Sequence, residues 1–479
     1  MKQLRKNIRR ASFVLILLFA VLVLWGAYSL IVNGNRWFFR PENTYARQKR
    51  SAAIEGDIYD TNGILLATTD AEGNRVYQSD LTARESVVHV VGDGSGQVAN
   101  SVQEYFSTYL YGFQMSWFEK ASAFLSGSQI KGDTLQLTID SLLSAYVLQC
   151  IEGNTDLPEN VKGAVVVMNY QTGEVLCELS LPVFDPNDLS AAKSNAAQPF
   201  YNRAIQGLYI PGSTFKIVTL SAALQNGIDP EQTFDCTGDL TVDGHVITDA
   251  ETKSLYDIKS HGTLTLLNAF KRSCNNTFAS IALKIGDNAL KKQAQAFGFG
   301  DDFKFRDLIV ENSSYESGER TDWKIAWSGA GQGDILVTPM HMCMIAASIA
   351  NGGVMQEPRL LKCVASSSGS VRLSFTSKVY KQSVADSSVI EIVKQAMYKV
   401  VNESGGTGQK AAVPGLTIYG KTGSAQIDGQ ENTNAWFVGF IGDADYPYAL
   451  AIVLENAGGG GAVAAPIAAQ IFTYLANRQ

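Results

Sequence analysis

Pro211-Gly212-Ser213-Thr214-Phe215-Lys216 runs into the apolar stretch Ile217-Val218-Thr219-Leu220-Ser221-Ala222-Ala223-Leu224 and stops at Asn226-Gly227. Pro-Gly breaks a chain, serine caps a helix and Asn-Gly ends one, so the segment predicts a short buried helix with Ser213 as its N-cap. A side chain three positions further on lies on the same face, which sets Lys216 beside the Ser213 hydroxyl. A hydroxyl is inert near neutral pH unless a base takes its proton. A buried amine desolvated enough to be neutral is such a base, and the helix N-terminus favours the negative charge that develops. The pattern predicts an activated serine nucleophile.

Ser-x-x-Lys alone decides little, because average composition gives about two matches by chance in a chain of this length. Ser128-Gln129-Ile130-Lys131 and Ser190-Ala191-Ala192-Lys193 match it too. Two further patterns single out Ser213. Ser273-Cys274-Asn275 is the only Ser-x-Asn in the chain and Lys421-Thr422-Gly423 the only Lys-[Ser/Thr]-Gly, and they follow in the order that serine acyl-transfer enzymes of this kind use.

The N-terminus carries five cations, Lys2, Arg5, Lys6, Arg9 and Arg10, and no acid, and residues 11–32 carry no charge. An uncharged run of that length crosses about 30 Å of hydrocarbon as a helix, and cations before it place the first residues in the cytoplasm. The expectation is a basic tail over 1–10, a signal anchor over 11–32 and an exported remainder. A cleaved signal peptide competes with it, since Ala27-Tyr28-Ser29 faintly resembles a cleavage site, but the apolar run exceeds a typical signal core. The whole chain has a formal net charge of -7 and no basic stripe, which argues against nucleic acid as a partner. The six cysteines (Cys150, Cys177, Cys236, Cys274, Cys343, Cys363) and four histidines are scattered along the sequence. No metal site or cofactor is indicated by their spacing, and free buried thiols are expected.

Residues 33–131 read as a small separate module, with Asp60-Thr61-Asn62-Gly63 turning between Asp57-Ile58-Tyr59 and Ile64-Leu65-Leu66-Ala67. Residues 132–479 read as the main domain of a mixed α+β fold. It opens with an alternating strand over 135–140 and a helix over 141–152. The runs 163–169 and 174–176 predict the first hairpin of a central antiparallel sheet. The apolar runs 435–441 and 448–454 predict strands following the one that carries Lys421, and a helix from about Ala464 to Ala476 closes the chain.

With these motifs in place, the sequence resembles the class B penicillin-binding proteins, membrane-anchored D,D-transpeptidases of cell-wall synthesis. The resemblance extends to Asn202-Arg203-Ala204, Gly331-Gln332-Gly333, Val337-Thr338-Pro339, Ala350-Asn351-Gly352-Gly353, Gly420 to Gln426 and Ala435 to Gly439. The first module resembles that family's pedestal at Gly56-Asp57-Ile58-Tyr59-Asp60 and Asn62-Gly63, although Glu55 and Thr61 stand where arginines are usual.

The resemblance implies a penicillin-binding, serine β-lactamase-like domain with an antiparallel sheet flanked by helices. It implies that Ser213 attacks a stem peptide ending in D-Ala-D-Ala, with Lys216 as base, and that β-lactams acylate the same serine. The backbone N–H groups of Ser213 and Ser424 would form the oxyanion hole, a term of about 3 to 4 kcal/mol in comparable sites. Ser273 would relay a proton to the departing D-Ala, Asn275 would hold the substrate amide and Lys421 would supply positive potential. Thr422, Gly423 and Ser424 would bind the substrate carboxylate end. A separate glycosyltransferase partner is implied, and a single-pass protein of the cell membrane with its catalytic domain outside. Two alternatives stay open: hydrolysis of the same acyl-enzyme, as a D,D-carboxypeptidase or β-lactamase, and a non-catalytic β-lactam sensor or scaffold. The absence of Glu-x-x-Leu-Asn argues against a β-lactamase.

Overall fold

The structure, a computed structural model, describes residues 2–39, 53–127, 129, 131–158, 160–249, 260–315, 320–426 and 433–478. Lys2–Phe39 is one helix. Within it, Gln3–Ser29 is long and apolar enough to cross a membrane, and Phe13, Ile16, Leu18 and Leu22 are exposed around it. A helix apolar on every side has no soluble partner face, which suits lipid.

The centre of the main domain is a five-stranded antiparallel sheet in the order Ile418–Ala425, Asn434–Ile441, Tyr448–Leu454, Gly163–Asn169, Val175–Leu181. The inner strands do not alternate in polarity. Asn434–Ile441 is buried along its whole length, because helices cover both faces. Pro339–Ala350 lies on one face, and Ala464–Asn477, packed on Ser141–Glu152, lies on the other. Each Val, Ile or Phe so enclosed contributes about 1.5–3 kcal/mol relative to an exposed one. The expected hairpin, the two late strands and the closing helix are all present.

A second sheet, of six strands, has the order Val371–Ser374, Leu361–Ala365, Thr134–Leu137, Ile58–Tyr59, Leu65–Thr69, Arg75–Tyr77. Ile58 and Leu135 are partners in a parallel pair, and Leu137 faces Leu361 in an antiparallel one. The boundary expected between residues 131 and 132 therefore runs through this sheet. The strand Thr134–Leu137 and a hairpin from residues 361–374 share this sheet with the strands of residues 58–77, and of these two only the strand at 134–137 had a signal in the sequence. The expected turn is present: Asp60 Oδ1 accepts from the backbone N–H of Asn62 and of Ile64, each at 2.8 Å. Glu55 is buried and locally satisfied. It accepts from Gln103 Nε2 and the Tyr111 hydroxyl, each at 2.9 Å, and pairs with Arg75 at 3.4 Å.

Candidate active site

Three segments meet at the open edge of the five-stranded sheet. They are the turn before the helix Lys216–Gln225, the loop between helices Leu266–Arg272 and Asn275–Ile285, and the strand Ile418–Ala425. Gly212–Phe215 is a single 3-10 turn that continues directly into the α-helix. Ser213 is thus inside the turn and is not the N-cap expected from the sequence, since no side chain caps this turn. Gly212, at φ 55°, makes the bend that an N-cap would otherwise make. The consequence is chemical: a capping serine commits its oxygen to a backbone N–H, whereas Ser213 Oγ lies 3.0 Å from Lys216 Nζ.

Lys216 is fully buried. Its Nζ lies 2.7 Å from the Ser273 carbonyl, 2.7 Å from Asn275 Oδ1 and 3.3 Å from Ser273 Oγ. The Asn275 amide is oriented by its Nδ2, which donates to the Thr248 carbonyl at 2.9 Å. Two of these neighbours only accept, and a neutral amine has two N–H bonds to give them. Its lone pair is then left for the Ser213 hydroxyl. Burial pulls the Lys216 pKa down to about 8, against the opposing charge of Asp249.

Ser273 ends its helix in the left-handed conformation, φ 59°, with its N–H and that of Cys274 returning to the Phe270 and Ala269 carbonyls at 3.0 and 2.9 Å. A serine held there is costly and marks a position whose side chain matters. Its hydroxyl sits between two amines, because Lys421 Nζ reaches it at 2.9 Å and also donates to the Thr422 carbonyl at 2.9 Å. Burial, and then the neighbouring Lys216, hold Lys421 well below the ordinary lysine range.

Alternation along the strand puts Thr422 and Ser424 on one face and Lys421 and Gly423 on the other. The Thr422 hydroxyl is 2.7 Å from that of Thr407, and Ser424 Oγ accepts from the Gly460 N–H at 3.3 Å. A Cβ on Gly423 would stand 3.0 Å from Thr214 Cγ2, and one on Gly331 would stand 1.8 Å from the Gly212 carbonyl oxygen. Only glycine allows the strand and the turn to approach so closely.

All eight residues singled out by the motifs therefore border one site, while the rival Ser-x-x-Lys matches do not. Ser190 and Lys193 are exposed, Lys131 pairs with Asp57 at 2.7 Å, and Ser128 lies outside the described residues. Three contributors lacked an assigned role. Gln332 Nε2 donates to the Ser424 carbonyl at 3.3 Å, and its place between Gly331 and Gly333 was the available signal. Thr407, in a glycine-rich loop, had a weaker one. Asp249, whose carboxylate accepts the Asn275 backbone N–H, had none. Two of the six cysteines and one of the four histidines, scattered in sequence, come together in space: donor atoms of Cys236, Asp249, His261 and Cys274 all lie within 4.8 Å of one another.

Residues 163–473, more than half of the chain, match the penicillin binding protein transpeptidase domain. The chain is 28% identical over 389 residues to the peptidoglycan D,D-transpeptidase MrdA of Haemophilus influenzae, a match covering 73% of this chain and 57% of that protein. It is 27% identical over 485 residues to the peptidoglycan D,D-transpeptidase PbpA of Mycolicibacterium smegmatis, covering 96% and 97%. In three dimensions it resembles penicillin-binding protein A from M. tuberculosis in its imipenem acyl-enzyme complex, with a TM-score of 0.78 and 25% identity over 89% of this chain and all of the other. The shared sheet, the three motifs on one edge and the extent of these matches lead to one conclusion: the chain belongs to the penicillin-binding protein transpeptidase family.

Proposed function

We infer that this chain is a peptidoglycan D,D-transpeptidase that cross-links stem peptides through an acyl-enzyme on Ser213 and is a covalent target of β-lactams. The observation that carries the reading is the bonding of Lys216, which leaves its lone pair to the Ser213 hydroxyl. Ser213 Oγ attacks the penultimate D-Ala carbonyl as its proton passes to Lys216. The N–H groups of Ser213 and Ser424 receive the oxyanion. As the C–N bond breaks, Ser273, between Lys216 and Lys421, passes a proton to the leaving D-Ala amine. An acceptor amine then attacks the ester, losing its proton to Lys216 and releasing Ser213. Lys421, with the Thr422 and Ser424 hydroxyls beside Gly423, holds the substrate carboxylate, and Asn275 holds its amide. The solved M. tuberculosis relative, described as an imipenem acyl-enzyme complex, supports a covalent adduct at the equivalent centre.

The N-terminal helix supports a single-pass anchor, with the basic residues 2–10 in the cytoplasm and the catalytic domain outside. The module over 33–131 would serve as a pedestal, and the glycan strands would come from a separate glycosyltransferase. The test is to label the purified full-length chain with a fluorescent penicillin, map the modified peptide, and then supply lipid-linked donor, a polymerase and acceptor amine. Label on Ser213 and cross-linked dimers are expected. An adduct on another serine overturns the site, and D-Ala release with little dimer at saturating acceptor replaces transpeptidation with carboxypeptidation.

A further inference from the structure

Solvent-exposed apolar side chains are not confined to the N-terminal helix. Among the described residues outside Lys2–Phe39, the most exposed large apolar side chains are Trp117, Phe118 and Leu125, at 73%, 78% and 84%. Phe19 and Leu24, on the helix that suits lipid, stand at 69% and 70%. All three belong to one helix, Trp117–Ser126. At about 100° per residue, Trp117, Ala121, Leu125 and Phe118 share a stripe about 100° wide. The two rings meet edge to face with centroids 5.2 Å apart.

The polar side of this helix is already tied down. Glu119 accepts the Ser116 backbone N–H at 2.7 Å, and the Ser116 hydroxyl accepts the Glu119 N–H at 3.3 Å, which closes a capping box. The Glu119 carboxylate pairs with Arg372, whose Nε also donates to Asp133 at 2.7 Å. Lys120 Nζ donates to the Phe113 carbonyl at 3.0 Å. A cap and ion pairs therefore hold the helix as it stands, with the stripe turned outward.

Position says what the stripe faces. Ser29, the last residue of the apolar span, is buried, and Lys2–Phe39 packs on Val102–Tyr105 and Ser107–Leu110. The body thus begins where the hydrocarbon would end. Trp117 follows Leu110 by seven residues, a reach of at most about 25 Å. Hydrogen bonds from the Phe113 N–H to the Thr108 carbonyl and from the Met115 N–H to the Gly112 carbonyl fold that connection shorter.

We propose that Trp117, Phe118 and Leu125 lie in the lipid surface on the catalytic side of the membrane that the N-terminal helix crosses, a second contact that does not span it. The proposal rests on reading Lys2–Phe39 as an anchor. An amphipathic helix with aromatic residues lies flat at the lipid–water boundary, its apolar side sunk about 5–10 Å. At about 150–250 Å² for each ring and less for leucine, the stripe falls short of the roughly 800 Å² per partner of a stable protein interface. A bilayer already at hand needs no such area and no matching shape. The second contact would remove the rotation that a single crossing helix allows and set the catalytic edge in one orientation above the lipid.

The test uses the full-length chain in nanodiscs of phosphatidylethanolamine and phosphatidylglycerol, with the photo-reactive residue p-benzoylphenylalanine (Bpa) placed singly as Phe118→Bpa, Leu125→Bpa, Leu18→Bpa and Val246→Bpa. All four positions are exposed, which spares folding. Leu18 reports the anchor, and Val246, on the strand His245–Thr248, reports the catalytic domain. After irradiation, peptide mapping should show phospholipid adducts at 118 and 125 at least about tenfold above those at 246, and adducts at 18 as well. If neither helix position reaches that yield while 18 is labelled, the proposal falls and the anchor reading stands. If none of the three is labelled, both fall. In intact cells, Phe118→Bpa should again take lipid, and a cross-link to another protein or to a second copy in its place overturns the proposal.

Discussion

The six-stranded sheet and the catalytic edge of the five-stranded sheet both bury charged side chains, and they treat them in opposite ways. In the six-stranded sheet the buried carboxylates Glu55 and Asp57 have each found a complement. Glu55 takes hydrogen bonds from Gln103 and Tyr111 and faces Arg75. Asp57 accepts from the Thr68 hydroxyl at 2.6 Å and from Lys131 at 2.7 Å. At the catalytic edge two lysines are fully buried, and among the described residues neither forms an ion pair. Satisfied charges fix a shape. Unpaired ones cost stability and gain reactivity, because burial makes an amine that no carboxylate contacts directly give up its proton more readily. Substitutions at the edge should therefore change rate and spare the fold, and substitutions in the six-stranded sheet should do the reverse.

The largest expected effect is that of Ser213→Ala, which should abolish penicillin labelling while leaving the melting temperature equal or raised. A folded Ser213→Ala chain that still takes label would break the comparison at its root. Next, Lys216→Arg keeps a cation but offers no neutral form in this pH range, so acylation should fall by about 10²- to 10⁴-fold. Stopped-flow acylation by a chain with normal circular dichroism measures it, and a loss under tenfold removes Lys216 as base.

The third test is pH. The folded Lys216 pKa is depressed to about 8 from an unfolded value of about 10.4. The neutral amine, and with it the acylation rate, should rise about tenfold per unit up to about pH 8 and then level off. Because the unfolded chain binds more protons, this group also makes stability rise with pH between those two values. A flat rate profile below pH 8 contradicts it. The smallest effect on rate belongs to Glu55→Ala, which leaves Gln103, Tyr111 and Arg75 without their acceptor. It should lower stability by about 2–4 kcal/mol in denaturant titration yet change acylation less than about twofold.

Much of this was legible in the sequence where chemistry or periodicity is local. Ser213 and Lys216 are one helical turn apart, and Ser273, Asn275 and Lys421 sit in short patterns of their own. The strands 434–441 and 448–454 are apolar enough to announce a covered sheet. What escaped is what depends on distance along the chain. Ser213 looked like a cap because capping and catalysis select the same residue, and the choice rests on Gly212 turning the backbone first. Asp249 reaches the Asn275 backbone across 26 positions with no motif around it. The hairpin 361–374 carries no mark that it belongs with residues 58–77, since strand pairing across such a separation leaves only an alternation that many partners would satisfy.

That shared sheet has a consequence for how proteins of this kind can be recombined. Thr134–Leu137 is clasped between Ile58–Tyr59 on one side and Leu361–Ala365 on the other, so the seam between the two modules is not a tether but a zipper. A chain cut after residue 131 would leave one tooth-row of Thr134–Leu137 bare, a ready template for strand addition and clumping. Grafting the first module of a relative onto residues 132–479 would meet a foreign edge at the same place. An exchange that keeps this sheet whole has to carry residues 58–77 together with residues 134–137 and 361–374, the last of them set deep inside the chain that would be left behind.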